Sequence, residues 1–212
     1  MTELHYPILM PPLAVRAAAA AQSMDFGADG GVSSSLPGIG AVLAVLAAGH
    51  PGGRIAEIGT AFGVGSAWLL AGMGPSATLV TVEVDSQRAT AARELLSADQ
   101  RVTVITGRWQ DHLPSRAPFD LVFVDGGYAE QLASDTRTTD MVVDLVGIGG
   151  QLLLDDLTPE VGCSDGRRNA PDPKRELALR HPSLVGAEFY VPDPSGVVRG
   201  LRTGGLVMTR VE

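Results

Sequence analysis

Short apolar runs and longer mixed segments alternate along the chain. The runs at 54–59, 78–85, 101–107, 120–125 and 151–155 are predicted to be β-strands. Near-continuous apolar runs of this kind are typical of parallel strands that are buried on both faces. The segments between them are predicted to be helices, at roughly 65–73, 86–98 and 134–146. Short strands that alternate with helices indicate βαβ units and a parallel sheet.

Both ends of the chain depart from this alternation. Two helices are predicted before the first strand, over Leu13–Met24 and Gly38–Ala48, with a loop rich in Gly and Ser between them. After the fifth strand, the polar residues 158–173 predict a loop, and a short helix is expected at Lys174–Arg180.

Two more strands, Leu184–Val191 and Leu206–Val211, are predicted near the end of the chain, where they favour an antiparallel hairpin at one sheet edge. The predicted fold is α/β, with a doubly wound, mostly parallel seven-stranded sheet and an antiparallel C-terminal hairpin. The 212 residues, 45% of them hydrophobic, favour a single domain. Within it, an N-terminal helical segment over 1–50 precedes an α/β core over 51–212.

Charge and cysteine content limit the partners and the compartment. The formal net charge is −8 and no run rich in Lys or Arg occurs, which argues against a nucleic-acid substrate. A single cysteine, Cys163, excludes an internal disulfide. The sequence has no run of about 18 apolar residues, the length that spans a membrane. We therefore expect a cytoplasmic protein that binds neither membranes nor nucleic acid.

The turn after the first predicted strand carries the strongest chemical signal. The segment RIAEIGTAFGVGS joins an apolar strand to a helix and has glycines at Gly59, Gly63 and Gly65. Glycines let the backbone approach a ligand closely, and a helix N-terminus attracts the anionic end of a nucleotide-like molecule. The order G-x-x-x-G-x-G differs from the dinucleotide fingerprint G-x-G-x-x-G. An ordinary tight turn is the alternative.

Two further strand ends favour a nucleoside site. Glu83 ends the second strand, where a carboxylate can accept both hydroxyls of a ribose, as it also does in NAD enzymes. The third strand ends in GRWQDHLP, in which Trp109 could stack on a base and Gln110 could hydrogen-bond it. A plain core or surface aromatic is the alternative for Trp109.

The motifs EIGTAFGVGS, VTVEVD, GRWQDHLP, FDLVFVDGGY and GGQLLLDD occur in the order and spacing of a known family. Over about residues 33–157 the chain resembles the class I S-adenosylmethionine-dependent O-methyltransferases of the catechol and caffeoyl-CoA type. The resemblance implies a Rossmann-like methyltransferase fold with S-adenosylmethionine as the cofactor. The cofactor-binding residues predicted on this basis are Ser33, Glu57, Gly59, Thr60, Ala61, Gly63, Gly65, Ser66, Glu83, Val84, Arg108, Trp109, Gln110 and Asp125.

One departure from the family concerns the methionine carboxylate of the cofactor. The family's usual Tyr-Ser after the central glycine is Val64-Gly65 in this sequence, with Ser66 one position later. The hydroxyl that holds the carboxylate is therefore expected from Ser66, Ser33 or Ser34.

Three aspartates mark the ends of neighbouring strands. Asp125 ends the fourth strand, and Asp155 and Asp156 end the fifth, so we expect them at one edge of the sheet. Converging carboxylates repel each other unless a cation or a proton intervenes, and Mg²⁺ prefers oxygen ligands. Aspartates that only cap the next helix are the alternative. The resemblance places the family's metal ligands at these three positions, which implies a divalent cation that orients the acceptor and lowers its pKa.

The catalytic residues expected are Asp125 and Tyr128. The catechol-type enzymes have a lysine base three residues after the fourth-strand aspartate, where this sequence has Tyr128. A tyrosine has an ordinary pKa of about 10, so it acts as a base only if a cation or a neighbour lowers that value. A packing or orienting role is the alternative.

The sequence therefore predicts methyl transfer from S-adenosylmethionine to a hydroxyl of a small-molecule acceptor, assisted by a divalent cation, in a homodimer. The first alternative is a metal-independent methyltransferase of the same fold that acts on another oxygen or nitrogen nucleophile. A non-catalytic module that binds the cofactor is the second, and an NAD oxidoreductase is a distant further one.

Overall fold

The structure, a computed structural model, describes residues 10–23, 35–125, 135–157, 174–175, 180–192 and 202–212. Within these ranges the helices are α1 Pro12–Ser23, α2 Pro37–Ala48, α3 Val64–Gly72, α4 Ser86–Leu96, α5 Trp109–His112 and α6 Thr136–Leu145, with a 3-10 turn at Pro114–Arg116. The strands are β1 Arg54–Ile58, β2 Thr78–Glu83, β3 Val102–Thr106, β4 Phe119–Val124, β5 Val146–Leu157, β6 Leu184–Pro192 and β7 Arg202–Arg210.

The described strands form one sheet in the order β3-β2-β1-β4-β5-β7-β6. Strands β1 to β5 pair in parallel, and β7 is antiparallel to both β5 and β6. This topology confirms the predicted fold, a mostly parallel seven-stranded sheet that ends in an antiparallel pair. The later strand of the pair, β7, lies beside the parallel core, and β6 forms the edge.

The departures from the predicted elements lie at turns. β5 begins at Val146, before the predicted start, because Val146 pairs with Phe119 ahead of a register shift. β2 ends at Glu83 because Asp85 caps α4, its Oδ1 accepting two backbone N–H groups at 2.9 Å. The short helix α5 has no signal in the sequence pattern, which marks the segment after β3 only as the end of a strand.

Two apolar clusters cover the two faces of the sheet. Ile55, Leu79, Leu121, Phe123 and Leu153 face helices α1, α2 and α3, whereas the alternate strand residues pack with α6. Because side chains alternate along a strand, the polar residues of β1 and β2 that concern the site lie on the first of these faces. Within the described part of the chain, no helix combines the length and hydrophobicity that crossing a membrane requires.

Candidate cofactor site and active site

The predicted cofactor turn follows β1, at the point where the strand order of the sheet reverses between β1 and β4. Gly59 and Gly63 have φ angles of +96° and +87°, and Ala61 between them has a φ of +45°. Glycine adopts such left-handed conformations without a steric cost, which explains the glycines at the two ends of this turn. In open α/β sheets, ligands bind at such a switch point, outside the carboxyl ends of the strands.

Glu57 is a buried carboxyl group beneath this turn. Its Oε2 accepts hydrogen bonds from Ser66 Oγ and from Thr81 Oγ1, the latter at 2.5 Å. Its Oε1 has no hydrogen-bond partner among the residues that the structure describes. Burial raises the pKa of Glu57 to about 7, although both hydroxyl donors act in the opposite direction. Glu57 therefore brings one unsatisfied acceptor atom to the site.

Gly65, in the first turn of α3, lies directly beside Glu57 Oε1. A Cβ added to Gly65 would collide with Glu57 Oε1, and it would lie 3.0 Å from the ring of Phe123 and 3.2 Å from Ser35 Oγ. Ser35 is itself buried, and its hydroxyl has no partner within the described ranges. Buried polar groups in proteins are nearly always hydrogen-bonded. Two such atoms beside one bare α-carbon at a helix N-terminus therefore indicate a polar ligand.

Glu83 anchors the other side of the turn. Its Oε2 accepts the Ala61 N–H at 2.8 Å, and its Oε1 accepts the Asp85 N–H at 2.9 Å. Each carboxylate oxygen has a second lone pair, so both can accept a further hydrogen bond from a diol. Thr60 is buried, with its hydroxyl 2.5 Å from that of Thr81, and this contact ties the turn to β2.

The predicted site residues at the ends of β2 and β3 differ in their burial. Trp109 is 3% exposed and packs in the apolar cluster on the α6 side of the sheet. In this structure it is therefore a core aromatic residue, which was the alternative to stacking on a base. Gln110 is half-buried and Arg108 is exposed, while Val84 at the end of β2 is 55% exposed. Val84 and Gln110 therefore keep surface that is accessible to solvent, whereas the ring of Trp109 is covered by protein.

The three strand-end aspartates differ in their surroundings. Asp125 is half-buried, and its N–H donates to Ile58 O at 3.0 Å. Asp155 is buried, and this burial, reinforced by the charge of Asp156, raises the pKa of Asp155 to about 7. Asp156 is exposed and has a φ of +58°. No three His, Cys, Asp or Glu side chains of the described residues form a group that could hold a metal ion. The structure thus does not bring Asp125, Asp155 and Asp156 together as the predicted metal site.

A buried lysine lies beside the aspartate pair. Lys174 is 3% exposed, and its Nζ donates a hydrogen bond to the main-chain oxygen of Asp156. The positive charge of Lys174 also lowers the pKa of Asp155, against the effect of burial. Lysine is rarely buried this completely unless it is paired. The structure therefore places an ammonium group at the end of β5, beside two of the three aspartates that were predicted to hold a divalent cation.

Two of the predicted site residues, Ser33 and Tyr128, lie outside the described residues. The same holds for Ser34, which was an alternative for the methionine carboxylate. Ser66, the remaining alternative, is buried in α3 and donates to Glu57.

Comparison with known proteins identifies the family. A family model described as a methyltransferase domain matches residues 56–157. A protein of Mycobacteroides abscessus, named "Putative O-methyltransferase", is 33% identical over 165 residues, which cover 74% of this chain and 72% of the relative. The chain belongs to the class I S-adenosylmethionine-dependent O-methyltransferases. A relative of the same name from Mycolicibacterium vanbaalenii is 37% identical over 124 residues, so this methyltransferase spans about half the length of that protein.

Solved O-methyltransferases share the fold of this methyltransferase. TomG of Streptomyces achromogenes, solved in complex with SAM, is 23% identical with a TM-score of 0.75, and the match covers 98% of this chain and 93% of TomG. An O-methyltransferase of Bacillus cereus, solved in complex with SAH, is 21% identical with a TM-score of 0.73, covering 97% and 94% of the two chains. At these identities the likeness establishes the fold.

Three residues that lie at or beside the candidate site were not predicted from the sequence. Thr81 lies two positions before Glu83 on β2. Because alternate residues of a strand share a face, this spacing could have predicted Thr81 beside Glu83. Ser35 directly follows the two serines considered for the methionine carboxylate. Lys174 carries no local signal, because its contact with β5 comes from a segment distant along the chain.

Proposed function

We propose that this methyltransferase transfers the methyl group of S-adenosylmethionine to a hydroxyl group of a small molecule. One observation carries the cofactor assignment, namely that Glu57 Oε1 and Ser35 Oγ are buried polar atoms without a described partner. Both atoms approach Gly65 at the N-terminus of α3. A ligand that offers a donor to the carboxyl oxygen and an acceptor to the hydroxyl, close together, would satisfy both atoms. An amino-acid zwitterion combines the two.

The methionine end of S-adenosylmethionine has this character. Its ammonium group would donate to Glu57 Oε1, and its carboxylate would accept from Ser35 Oγ and from backbone N–H groups at the start of α3. A helix N-terminus favours a negative charge. Gly65 lacks the side chain that would otherwise fill the space between these groups.

The nucleoside end would extend along the ends of β2 and β3. Glu83 Oε1 and Oε2 each retain acceptor capacity for one ribose hydroxyl. Val84 would offer exposed apolar surface to a base, and the half-buried Gln110 would offer amide donors and acceptors. Trp109 would support this pocket from below, through its packing in the core.

The acceptor would lie beyond the cofactor, near the end of β4. When bound, S-adenosylmethionine supplies a methyl group on a positively charged sulfur, which an oxygen nucleophile attacks in line. We propose that Asp125 orients the acceptor hydroxyl and receives its proton. The catalytic role of Tyr128 stays a prediction.

The divalent cation that the resemblance implied does not fit the described residues. Asp155 is buried and Asp156 is exposed, and Lys174 already contacts this pair. A cation would therefore meet a resident ammonium group beside its proposed ligands. For this reason the proposed mechanism contains no step through a metal ion.

The experiment that tests this function combines calorimetry with a transfer assay. Titration with S-adenosylhomocysteine should show saturable one-to-one binding, and S-adenosylmethionine with a labelled methyl group should yield a methyl ether from at least one member of a panel of phenols, catechols and alcohols. Transfer to nitrogen alone would favour the alternative methyltransferase, and binding without any transfer would favour the non-catalytic module. Saturable NAD binding without a response to S-adenosylmethionine would overturn the proposal.

We also propose that the chain forms a homodimer through its N-terminal helices. Val15 on α1 and Val45 on α2 are large apolar side chains that are 50% and 71% exposed, and a partner would remove this surface from water. Light scattering after size-exclusion chromatography should give the mass of two chains, and Val45→Glu should shift it to that of one.

A further inference from the structure

We propose that the ammonium group of Lys174 takes the place of a divalent cation beside Asp155, so that this methyltransferase binds no metal ion there. Lys174 would be a positioning residue, because it would neutralise the charge of Asp155 and fix the position of Asp156 through a hydrogen bond. The inference rests on the proposed function, since it concerns the acceptor side of the same site.

The first argument is the burial of two opposite charges at one place. Lys174 and Asp155 are each 3% exposed, and an isolated charge of either kind is costly to bury. Lys174 Nζ donates to the main-chain oxygen of Asp156, and the N–H of Asp156 donates to Asp155 Oδ1 at 2.7 Å, so the two charged groups contact the same residue. Each of them therefore provides part of the compensation that the other needs.

The second argument is the backbone of β5. Leu154 pairs with Leu206 and Leu157 pairs with Gly204, so the ladder with β7 is shifted across Asp155 and Asp156. Asp156 adopts a left-handed conformation within this irregularity. Such bulges redirect backbone groups away from regular pairing. Here the main-chain oxygen of Asp156 accepts the hydrogen bond from Lys174 Nζ, which fixes the ammonium group at the end of the strand.

The third argument is competition for the same oxygens. A divalent cation at Asp155 would be repelled by the fixed positive charge of Lys174, and this repulsion is strong in a site away from water. Without that charge, the carboxylate of Asp155 and the main-chain oxygen of Asp156 would be left as oxygen ligands of the kind that Mg²⁺ and Mn²⁺ bind. Replacing Lys174 by an uncharged polar side chain should therefore give the protein an affinity for a divalent metal ion.

The test measures binding of Mn²⁺ alone by electron paramagnetic resonance, so it needs no acceptor. We expect Lys174→Gln to bind one Mn²⁺ at least about a hundredfold more tightly than the wild type, because the repelling charge is gone. The matched control Lys174→Arg keeps the charge and should behave like the wild type. Adding Asp155→Asn to Lys174→Gln should abolish the acquired site.

Equal Mn²⁺ affinity of the wild type and Lys174→Gln, whether high or low, would overturn the inference. Calorimetry with S-adenosylhomocysteine on each variant reports folding of the site, and Lys174→Met, with an apolar stem of similar length, is the second variant if Lys174→Gln does not fold. A wild type that binds no S-adenosylhomocysteine would refute the proposed function, whereas the Mn²⁺ comparison would still judge the role of Lys174. In the transfer assay, wild-type activity should be unchanged by a chelator.

Discussion

Replacing Glu57 by Gln should stabilise the cofactor-free protein at alkaline pH. The pKa of Glu57 rises from 4.5 to about 7 on folding, chiefly because of burial. Each unit of pKa difference between the folded and unfolded states corresponds to 1.36 kcal/mol. The difference between these two pKa values corresponds to about 3 kcal/mol. This is the extra free energy needed to ionise Glu57 in the folded protein compared with the unfolded chain.

The sign follows from where each state loses its proton. Below pH 4.5, Glu57 is protonated in both the folded and the unfolded chain, so the free energy of unfolding does not depend on its titration. Between about pH 4.5 and 7, only the unfolded chain is ionised, and wild-type stability falls as the pH rises. Above pH 7 the loss is complete. The amide in the Glu57→Gln variant cannot ionise, and its carbonyl can still accept from Ser66 and Thr81, so the variant avoids this loss.

The assay is chemical denaturation of both cofactor-free proteins between pH 4.5 and 8.5. We expect similar stability at pH 4.5, and at pH 8 a variant that is more stable by up to about 3 kcal/mol, or about 6–12 °C in Tm. Titration of Asp155 cancels in the comparison, because it affects both proteins alike. A constant difference across this range would refute the reasoning.

A matched control is Glu83→Gln at the neighbouring strand. Glu83 is equally buried, but both of its oxygens accept backbone N–H groups. An amide would turn one acceptor into a donor that faces another donor, so this variant should lose about 1–3 kcal/mol of stability. Saturating S-adenosylhomocysteine should stabilise the wild type more than Glu57→Gln, because the variant lacks the carboxylate that the ammonium group would contact.

Gly65→Ala should lower the Tm and abolish S-adenosylhomocysteine binding by calorimetry, because the new Cβ would collide with Glu57 Oε1; overpacking of this kind costs about 1–3 kcal/mol. Gly52→Ala, whose Cβ would have 3.5 Å to its nearest neighbour, should change neither measurement. Ser35→Ala should weaken binding about tenfold, the equivalent of one hydrogen bond, without a loss of thermal stability, and unchanged affinity would contradict the role of this hydroxyl. Asp85→Ala should cost about 1 kcal/mol in denaturant unfolding, because α4 loses a cap that accepts two N–H groups, and an unchanged midpoint would show that the cap contributes nothing.

Local pattern was sufficient for most of the fold. The alternation of apolar strands with helices predicted the parallel core, and the late pair of strands predicted the antiparallel edge, because burial on both faces leaves a continuous apolar run. The tight turn at Gly59 and Gly63 was predictable, since the left-handed backbone at these positions favours glycine. The bulge at Asp156 was not predictable, because no local feature of QLLLDDL marks where the ladder shifts.

What the sequence alone determined is the family, the sheet and the residues that follow each strand, since these depend on short-range spacing. The tertiary structure decided which of those residues meet. It brought Ser35 and Glu57 together at Gly65, and it covered Trp109 with core side chains. It also placed Lys174 against the end of β5. These contacts join segments far apart along the chain, and their geometry depends on how helices and loops pack across the sheet, which periodicity and spacing do not specify.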